Sequence, residues 1–191
     1  KGARTGPSIM PGGDIEAFNL VKPMLEAISA KVNGEPCTAY MGKSSAGNYV
    51  KMVHNGIEYA IMQLISEAYD LLRKGAQLNN DELYEVFKTW NEGEMNSFLI
   101  EITRDIFREK DTLAQAFLVD SILDKAGAKG TGKWTSEQGM EIGTSIPTID
   151  IAVTSRILSA YKDERIVASQ LYGEKSIELV TDKKLFIKEV G

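Results

Sequence analysis

Ala46-Gly-Asn-Tyr-Val-Lys-Met-Val-His-Asn-Gly-Ile-Glu-Tyr59, running on without a proline to Lys74, is the stretch that decides the fold. Val50, Val53, Ile57, Ala60, Ile61 and Leu64 recur at helical spacing, so a single helix is expected from Ala46 to Lys74, stopped by Gly75. Those residues occupy most of the helix circumference, which predicts burial. At about 100° per residue, Lys51, Asn55 and Glu58 fall within an arc of roughly 60°, with His54 at its border. A lysine, an amide and a carboxylate aligned on a buried helix are costly unless they pair or face a wet cavity. Two readings stand. One is an intrahelical ion pair on a solvated stripe, Lys51 or His54 with Glu58. The other is a lysine desolvated enough to act as a base beside a carboxyl group acting as an acid. Gly47 and Gly56 favour the second. Glycine costs up to about 1 kcal/mol in a helix interior, so its presence signals the close approach of another backbone or a ligand.

On the N-terminal side the texture changes. Gly6-Pro-Ser-Ile-Met-Pro-Gly-Gly13 reads as a short strand ending in a turn. Asp14 suits an N-cap, and Ile15 to about Lys31 carries helical spacing that Pro23 should bend or interrupt. Pro36-Cys-Thr-Ala-Tyr-Met-Gly42 is a second extended run. Strand, helix and strand together suggest a piece of an α/β sheet. Cys37 lies in an apolar run and reads as packing rather than chemistry.

On the C-terminal side nearly everything is helical. Asn80 or Asp81 should cap a helix to about Thr89, and Ser97 should open another to about Glu109. Leu118 to Lys125 reads as a helix ended by Gly127, and Thr135 or Ser136 as the start of a short one. Pro147 precedes a helix through Ile151, Val153, Ile157 and Tyr161, and a further helix runs from about Asp163 to Leu171. The tail from Glu174 to Gly191 reads as partly helical. The fold class is therefore mainly α, preceded by a short β-α-β remnant.

Two further clusters carry chemistry. Gly127-Ala-Lys-Gly-Thr-Gly-Lys133 interleaves three glycines with two lysines, a composition able to offer backbone N–H groups and positive charge to an anion. It approaches the P-loop pattern, but Trp134 stands where a magnesium-binding Ser or Thr is required, and a helix-like run rather than a strand precedes it. An NTPase is excluded on those grounds, leaving an anion cradle or an ordinary turn between helices. Trp134 suits an anchor for such a loop. Arg156 interrupts an apolar helix, where its guanidinium could serve phosphate or carboxylate recognition or a surface salt bridge.

The bulk properties narrow the class. The chain has 191 residues, 43% hydrophobic and 26% charged, ordinary for a soluble globular protein. A net charge of −5 argues against a general nucleic-acid or anionic-membrane binder. No run reaches the roughly 18 apolar residues of a membrane span. The single cysteine fits a reducing cytoplasm. No set of residues suggests a metal site.

In order, these pieces resemble the NADP-dependent 6-phosphogluconate dehydrogenases. The resemblance rests on Gly6 to Gly13, on Lys51-Met-Val-His-Asn-Gly-Ile-Glu-Tyr59, on Lys129-Gly-Thr-Gly-Lys-Trp-Thr135, and on Ala152 to Ser159 with Arg156. It implies a helical substrate-binding and dimerisation domain over 44–191. Residues 1–43 would be the strand-helix-strand end of the NADP-binding domain. It implies Lys51 as the general base at the C3 hydroxyl and Glu58 as the acid that protonates C1 of the enediol. His54 and Asn55 would hold the sugar acid's hydroxyls or carboxylate, and Tyr59, Lys129, Thr131 and Arg156 its phosphate. NADP is the implied cofactor, with no cofactor-binding residue assigned in this chain. 6-Phosphogluconate is the implied substrate, and a homodimer through the helical domain the implied assembly. The family's Gly-x-Gly-x-x-Gly turn, its Ser-Gly-Gly substrate segment and its C-terminal tail are absent from these residues, so the chain alone is expected to be inactive. Two rival readings are a 3-hydroxyacid dehydrogenase acting on hydroxyisobutyrate and a non-catalytic helical interaction domain. The phosphate cradle argues against the first, and the retention of Lys51 and Glu58 against the second.

Overall fold

Asp14 fixes the first long helix: its carboxylate accepts from the N–H groups of Glu16 and Ala17, both at 2.9 Å, two donors that a helix start otherwise leaves unpaired. The computed structural model describes residues 2–113, 116–173 and 180–191. In chain order the elements are α1 (Gly2–Thr5), α2 (Ile15–Ile28), β1 (Lys31–Val32), β2 (Glu35–Pro36), α3 (Ala46–Asp70), α4 (Asn80–Glu92), α5 (Phe98–Ile106), α6 (Thr131–Glu141), α7 (Pro147–Ser159), α8 (Lys162–Tyr172) and α9 (Lys183–Val190). The mainly α class holds. The chain divides into two compact units, Lys1–Glu58 with Ala128–Asp150, and Tyr59–Gly127 with Ile151–Gly191.

In the first unit the extended runs around Ile9 and Thr38 lie parallel, joined by Ile9 N–H to Cys37 O (2.9 Å), Met41 N–H to Pro11 O (2.8 Å) and Gly13 N–H to Gly42 O (3.0 Å). The helix between them passes through Pro23 uninterrupted to Ile28. It ends three residues before the expected Lys31, because the chain turns into an antiparallel hairpin pairing Lys31 with Pro36 and Val32 with Glu35. Asn33 (φ 51°) and Gly34 (φ 85°) form its two-residue turn. Both central residues need positive φ in such a turn, and Asn-Gly is the pair that supplies it most readily. The start of α3 is set by backbone contact: a methyl group on buried Gly47 would collide with the Met10 carbonyl, and one on Gly12 would stand 2.6 Å from Gly47 N.

The second unit carries a core of Leu72, Ala76, Leu78, Leu83, Val86, Phe87, Ile100 and Phe107, with Phe186 and Val190 of α9 packed against it. Phe87 is fully buried, its ring 4.8 Å from Trp90 and 5.2 Å from Phe107. The long helix does not stop at a simple cap. After Asp70 it widens into a π-helical turn over Leu71–Gly75. Arg73 holds that turn by donating to Leu78 O (3.1 Å), and lies 3.6 Å from Asp120, which in turn accepts from buried Asn80 at 2.8 Å.

Several boundaries differ from expectation. The cap of α4 is Asn79, one residue earlier, in a reciprocal capping box with Glu82. Ser97 caps α5 as expected, but the helix ends at Ile106 rather than Glu109. Only Leu118–Ser121 is helical between 118 and 125, as a 3₁₀ turn. The remainder, Ile122 to Lys125, is drawn out and held from outside by α8. Residues 174–179 of the expected partly helical tail lie outside the described residues; α9 accounts for 183–190.

Burial of α3 is the largest departure. Ile57 is 47% exposed, Leu64 53% and Leu71 50%. They lie along one line of the helix, at the spacing that places residues on a common face. The described residues leave this apolar line open.

Candidate functional site

Helix α3 delivers Lys51, His54, Asn55 and Glu58 to one side of the first unit through nothing more than helical spacing. His54 Nδ1 stands 3.5 Å from Glu58 Oε2 and 3.4 Å from Asn55 Oδ1. His54 and Glu58 therefore lie within ion-pairing distance, one of the two pairings the spacing allowed. Lys51 has no hydrogen bond or ion pair among the described residues, and it is exposed. The base candidate therefore meets water in this chain rather than a buried cavity, which corrects the expected desolvation of the α3 lysine.

The glycine-lysine segment is half loop and half helix. Gly130 takes φ 101°, in the left-handed region, and the chain then enters α6 at Thr131. Thr135 and Ser136, expected to open this helix, lie inside it instead. The unpaired N–H groups of a helix's first turn carry partial positive charge. Here that turn begins with Thr131, beside exposed Lys129. Trp134 packs its ring over Gly130, where an added methyl group would lie 3.3 Å from Cζ2, consistent with an anchoring role for that loop. Lys133 is turned aside into an ion pair with Glu137 at 3.3 Å. Asn55 Nδ2 donates to Thr131 Oγ1 at 3.4 Å, bringing the turn against the polar arc of α3.

Tyr59 and Arg156 belong to the second unit and meet there. The Arg156 guanidinium lies 3.8 Å above the Tyr59 ring, Nη1 donates to Gly127 O at 2.6 Å, and Nη2 approaches Met62 Sδ at 3.7 Å. No carboxylate pairs with Arg156 among the described residues, so the surface salt bridge is not what holds it. A ring, a carbonyl and a thioether fix the fork in place while leaving its full charge for an anion.

Spacing alone did not reveal how the segment before the glycine turn is held. Asp124 accepts from Lys162 Nζ (2.5 Å) and Arg165 Nη1 (2.7 Å), Arg165 Nη2 also donates to Asp124 O (3.1 Å), and Ser159 Oγ accepts from Ala126 N (2.9 Å). The hydrogen bond from Lys162, then that from Arg165, holds the Asp124 carboxyl well below the usual carboxylate range. A depressed folded pKa contributes stability that is complete above the unfolded aspartate value of about 3.9 and is lost as pH falls toward the folded one. Asp124→Asn is therefore expected to lower the melting temperature by a few degrees at most, as befits an exposed cluster. The gap between variant and parent should be constant from pH 7 to about pH 5 and narrow below about pH 4. Thermal melts across that range check it; a gap that widens in acid contradicts the assignment.

A groove of about 690 Å³ in the second unit is lined by apolar residues including Ile61, Leu64, Trp90 and Met95, and contains none of the candidate residues.

The family model described as 6-phosphogluconate dehydrogenase, C-terminal domain, matches residues 47–191, and that described as NAD binding domain of 6-phosphogluconate dehydrogenase matches residues 1–42. The chain is 58% identical over 184 residues to the NADP(+)-dependent, decarboxylating 6-phosphogluconate dehydrogenase of Bacillus subtilis, covering 96% of this chain and 39% of that protein. It is 52% identical over 192 residues to the decarboxylating 6-phosphogluconate dehydrogenase of Lactococcus lactis, covering 41% of it. Its structure resembles that of the Plasmodium falciparum 6-phosphogluconate dehydrogenase with a TM-score of 0.92 at 48% identity, over 99% of this chain and 41% of that one. A 3-hydroxyisobutyrate dehydrogenase from Salmonella typhimurium shares the fold at a TM-score of 0.54 and 17% identity, over 98% of this chain and 56% of that one. The chain spans about 40% of the length of the curated relatives it matches.

Proposed function

Because the chain belongs to the 6-phosphogluconate dehydrogenase family, we propose that it supplies the proton-transferring and phosphate-binding helices of an NADP-dependent oxidoreductase. That enzyme converts 6-phosphogluconate to ribulose 5-phosphate and CO₂, in the pentose phosphate route. The observation that carries the reading is the Asn55–Thr131 hydrogen bond, which sets the α6 turn against the arc holding Lys51 and Glu58.

Lys51 takes the proton of the C3 hydroxyl while the C3 hydride would pass to the nicotinamide of NADP, leaving a ketone at C3. The 3-keto acid then loses CO₂, the bonding pair staying on carbon while the Lys51 ammonium returns its proton to the keto oxygen. Glu58 protonates C1 of the resulting enediol as the enol oxygen gives its proton back to the amine. Base and acid stand two turns apart, about 10 Å of rise, which suits an extended six-carbon substrate. His54 and Asn55 orient the hydroxyls or carboxylate. Lys129, Thr131 and the first turn of α6 offer positive charge to the phosphate in the first unit, and the family resemblance assigns Tyr59 and Arg156 of the second unit to the same group. No Gly-x-Gly-x-x-Gly turn occurs in these 191 residues. This chain is therefore assigned no grip on the nucleotide's pyrophosphate.

Residues 1–43 are read as the end of the nucleotide-binding domain and 44–191 as the helical substrate and dimerisation domain, supported by family matches that divide at the same place. The open apolar line on α3 supports a homodimer through the helical domain. No described helix is long and apolar enough to cross a membrane. The lone Cys37 supports a reducing, cytoplasmic setting.

The test has two arms. The purified chain should form no NADPH from 6-phosphogluconate, whereas a polypeptide of the relatives' full length carrying this sequence should turn over. In the longer polypeptide, 6-phosphogluconate should raise the melting temperature more than hydroxyisobutyrate or inorganic phosphate. Equal stabilisation by all of them, with no turnover, refutes the assignment.

A further inference from the structure

Two observations inside the first unit meet at one side chain. Thr135 is only 4% exposed, and its hydroxyl lies within donating distance of two carbonyl oxygens, Met52 O on α3 at 3.0 Å and Thr131 O on α6 at 2.9 Å. Directly beneath it is Gly56, whose missing methyl group makes the room. A Cβ there would stand 2.8 Å from both Thr135 Cγ2 and Thr135 Oγ1. One turn earlier on α6, Thr131 accepts from Asn55, the neighbour of Gly56 on α3. The two helices are thus locked at successive turns, Asn55 to Thr131 and Met52–Gly56 to Thr135.

We propose that Thr135, seated on Gly56, is the positioning residue that sets the register between the α6 phosphate turn and the proton-transfer arc of α3. The inference rests on the function proposed above. Thr135 lies one turn inside α6, behind the residues assigned to the phosphate, and its hydroxyl is consumed by backbone carbonyls on both helices. Its effect is transmitted: with the hydroxyl in place, Thr131 and the first N–H groups of α6 stand at a fixed height along α3. A phosphate bound there then places C3 opposite Lys51. Without it α6 can slide or tilt on α3. The phosphate still binds its own turn, but the reacting carbon is misplaced, and misplacement on the ångström scale costs on the order of 100-fold in rate.

The expected signature separates this from loss of structure. In the full-length polypeptide, Thr135→Val should lower kcat/KM for 6-phosphogluconate by roughly 10- to 100-fold, while the inhibition constant of inorganic phosphate changes by no more than about twofold. Thr135→Ser keeps the hydroxyl and should recover activity to within about threefold of the parent. Gly56→Ala, which pushes Thr135 off its seat, should reproduce the Val result. Thr135→Ala replaces Thr135→Val if the latter does not fold, judged by its thermal melt. A Val variant as active as the parent overturns the inference, as do Val and Ser variants that are equally impaired, or phosphate inhibition lost in step with turnover. A parent that binds and turns over no 6-phosphogluconate overturns the underlying function instead, and the two failures are read from different proteins.

Discussion

Lys51→Met, placed in a polypeptide of the relatives' full length, is expected to lower kcat for 6-phosphogluconate by about 10²- to 10⁴-fold, the range that a positioned general acid-base supplies. Methionine keeps the length and apolar stem of the side chain and removes only the group that carries the proton. Lys51 makes no hydrogen bond or ion pair among the described residues, so its removal should break nothing in the fold. The melting temperature should stay with the parent while turnover falls. Lys51→Arg is the sharper control, since it restores positive charge but not a base usable near neutral pH; it should be nearly as inactive as the methionine variant. Steady-state kinetics with both variants decides the matter. Arginine restoring activity would make Lys51 an electrostatic anchor and leave the proton transfers without an agent.

Phe87→Ala should be the most damaging change to stability. The ring is fully buried between Trp90 and Phe107, in a unit whose core is otherwise mostly aliphatic. Truncating a buried phenylalanine costs about 3–5 kcal/mol, part for lost transfer energy and part for the cavity left behind. Domains of this size are stable by about 5–15 kcal/mol in total. The variant should therefore be marginally folded or unfolded at room temperature. Urea titration of the chain, followed by circular dichroism, measures this. Leu20→Ser, at a position 81% exposed on α2, should move the midpoint little. A loss below about 1 kcal/mol for Phe87→Ala would mean that this cluster is not what holds the second unit together.

Much of the fold, and the grouping of the candidate residues on one arc of α3, is legible in residue spacing. Asp14 before an apolar period, Ser97 before another, and Pro147 at the first position of α7 are local signals, and each element began where they stood. Gly47 and Gly56 were also informative, since a glycine inside a strong helix needs a reason. At Gly47 the reason is the Met10–Gly12 backbone and at Gly56 it is Thr135. What spacing could not give was the identity of neighbours. Apolar residues all around α3 predict burial, yet Ile57, Leu64 and Leu71 remain half exposed, because periodicity reports which faces want cover and not which receive it. The stretch Ile122–Lys125 has a helix-like composition but is claimed by Lys162 and Arg165 some forty residues on, a contact no local rule encodes. Thr135 looked like a helix cap because threonine favours that position. Its spacing of four from Thr131 was the available clue that it lies inside a helix and bonds back along it.

The seat of Gly47 has a practical corollary for anyone seeking a hardier version of this protein. Exchanging helix glycines for alanine is a routine way to gain thermal tolerance, because alanine restricts the unfolded chain and favours the helix. In α3 that recipe inverts: the strand beside the helix start leaves space for a hydrogen atom and nothing larger. Lys51 follows one turn later, so the aim of its amine is inherited from that backbone contact. A stabilising programme that ignored it would trade away the direction of the side chain proposed as the general base.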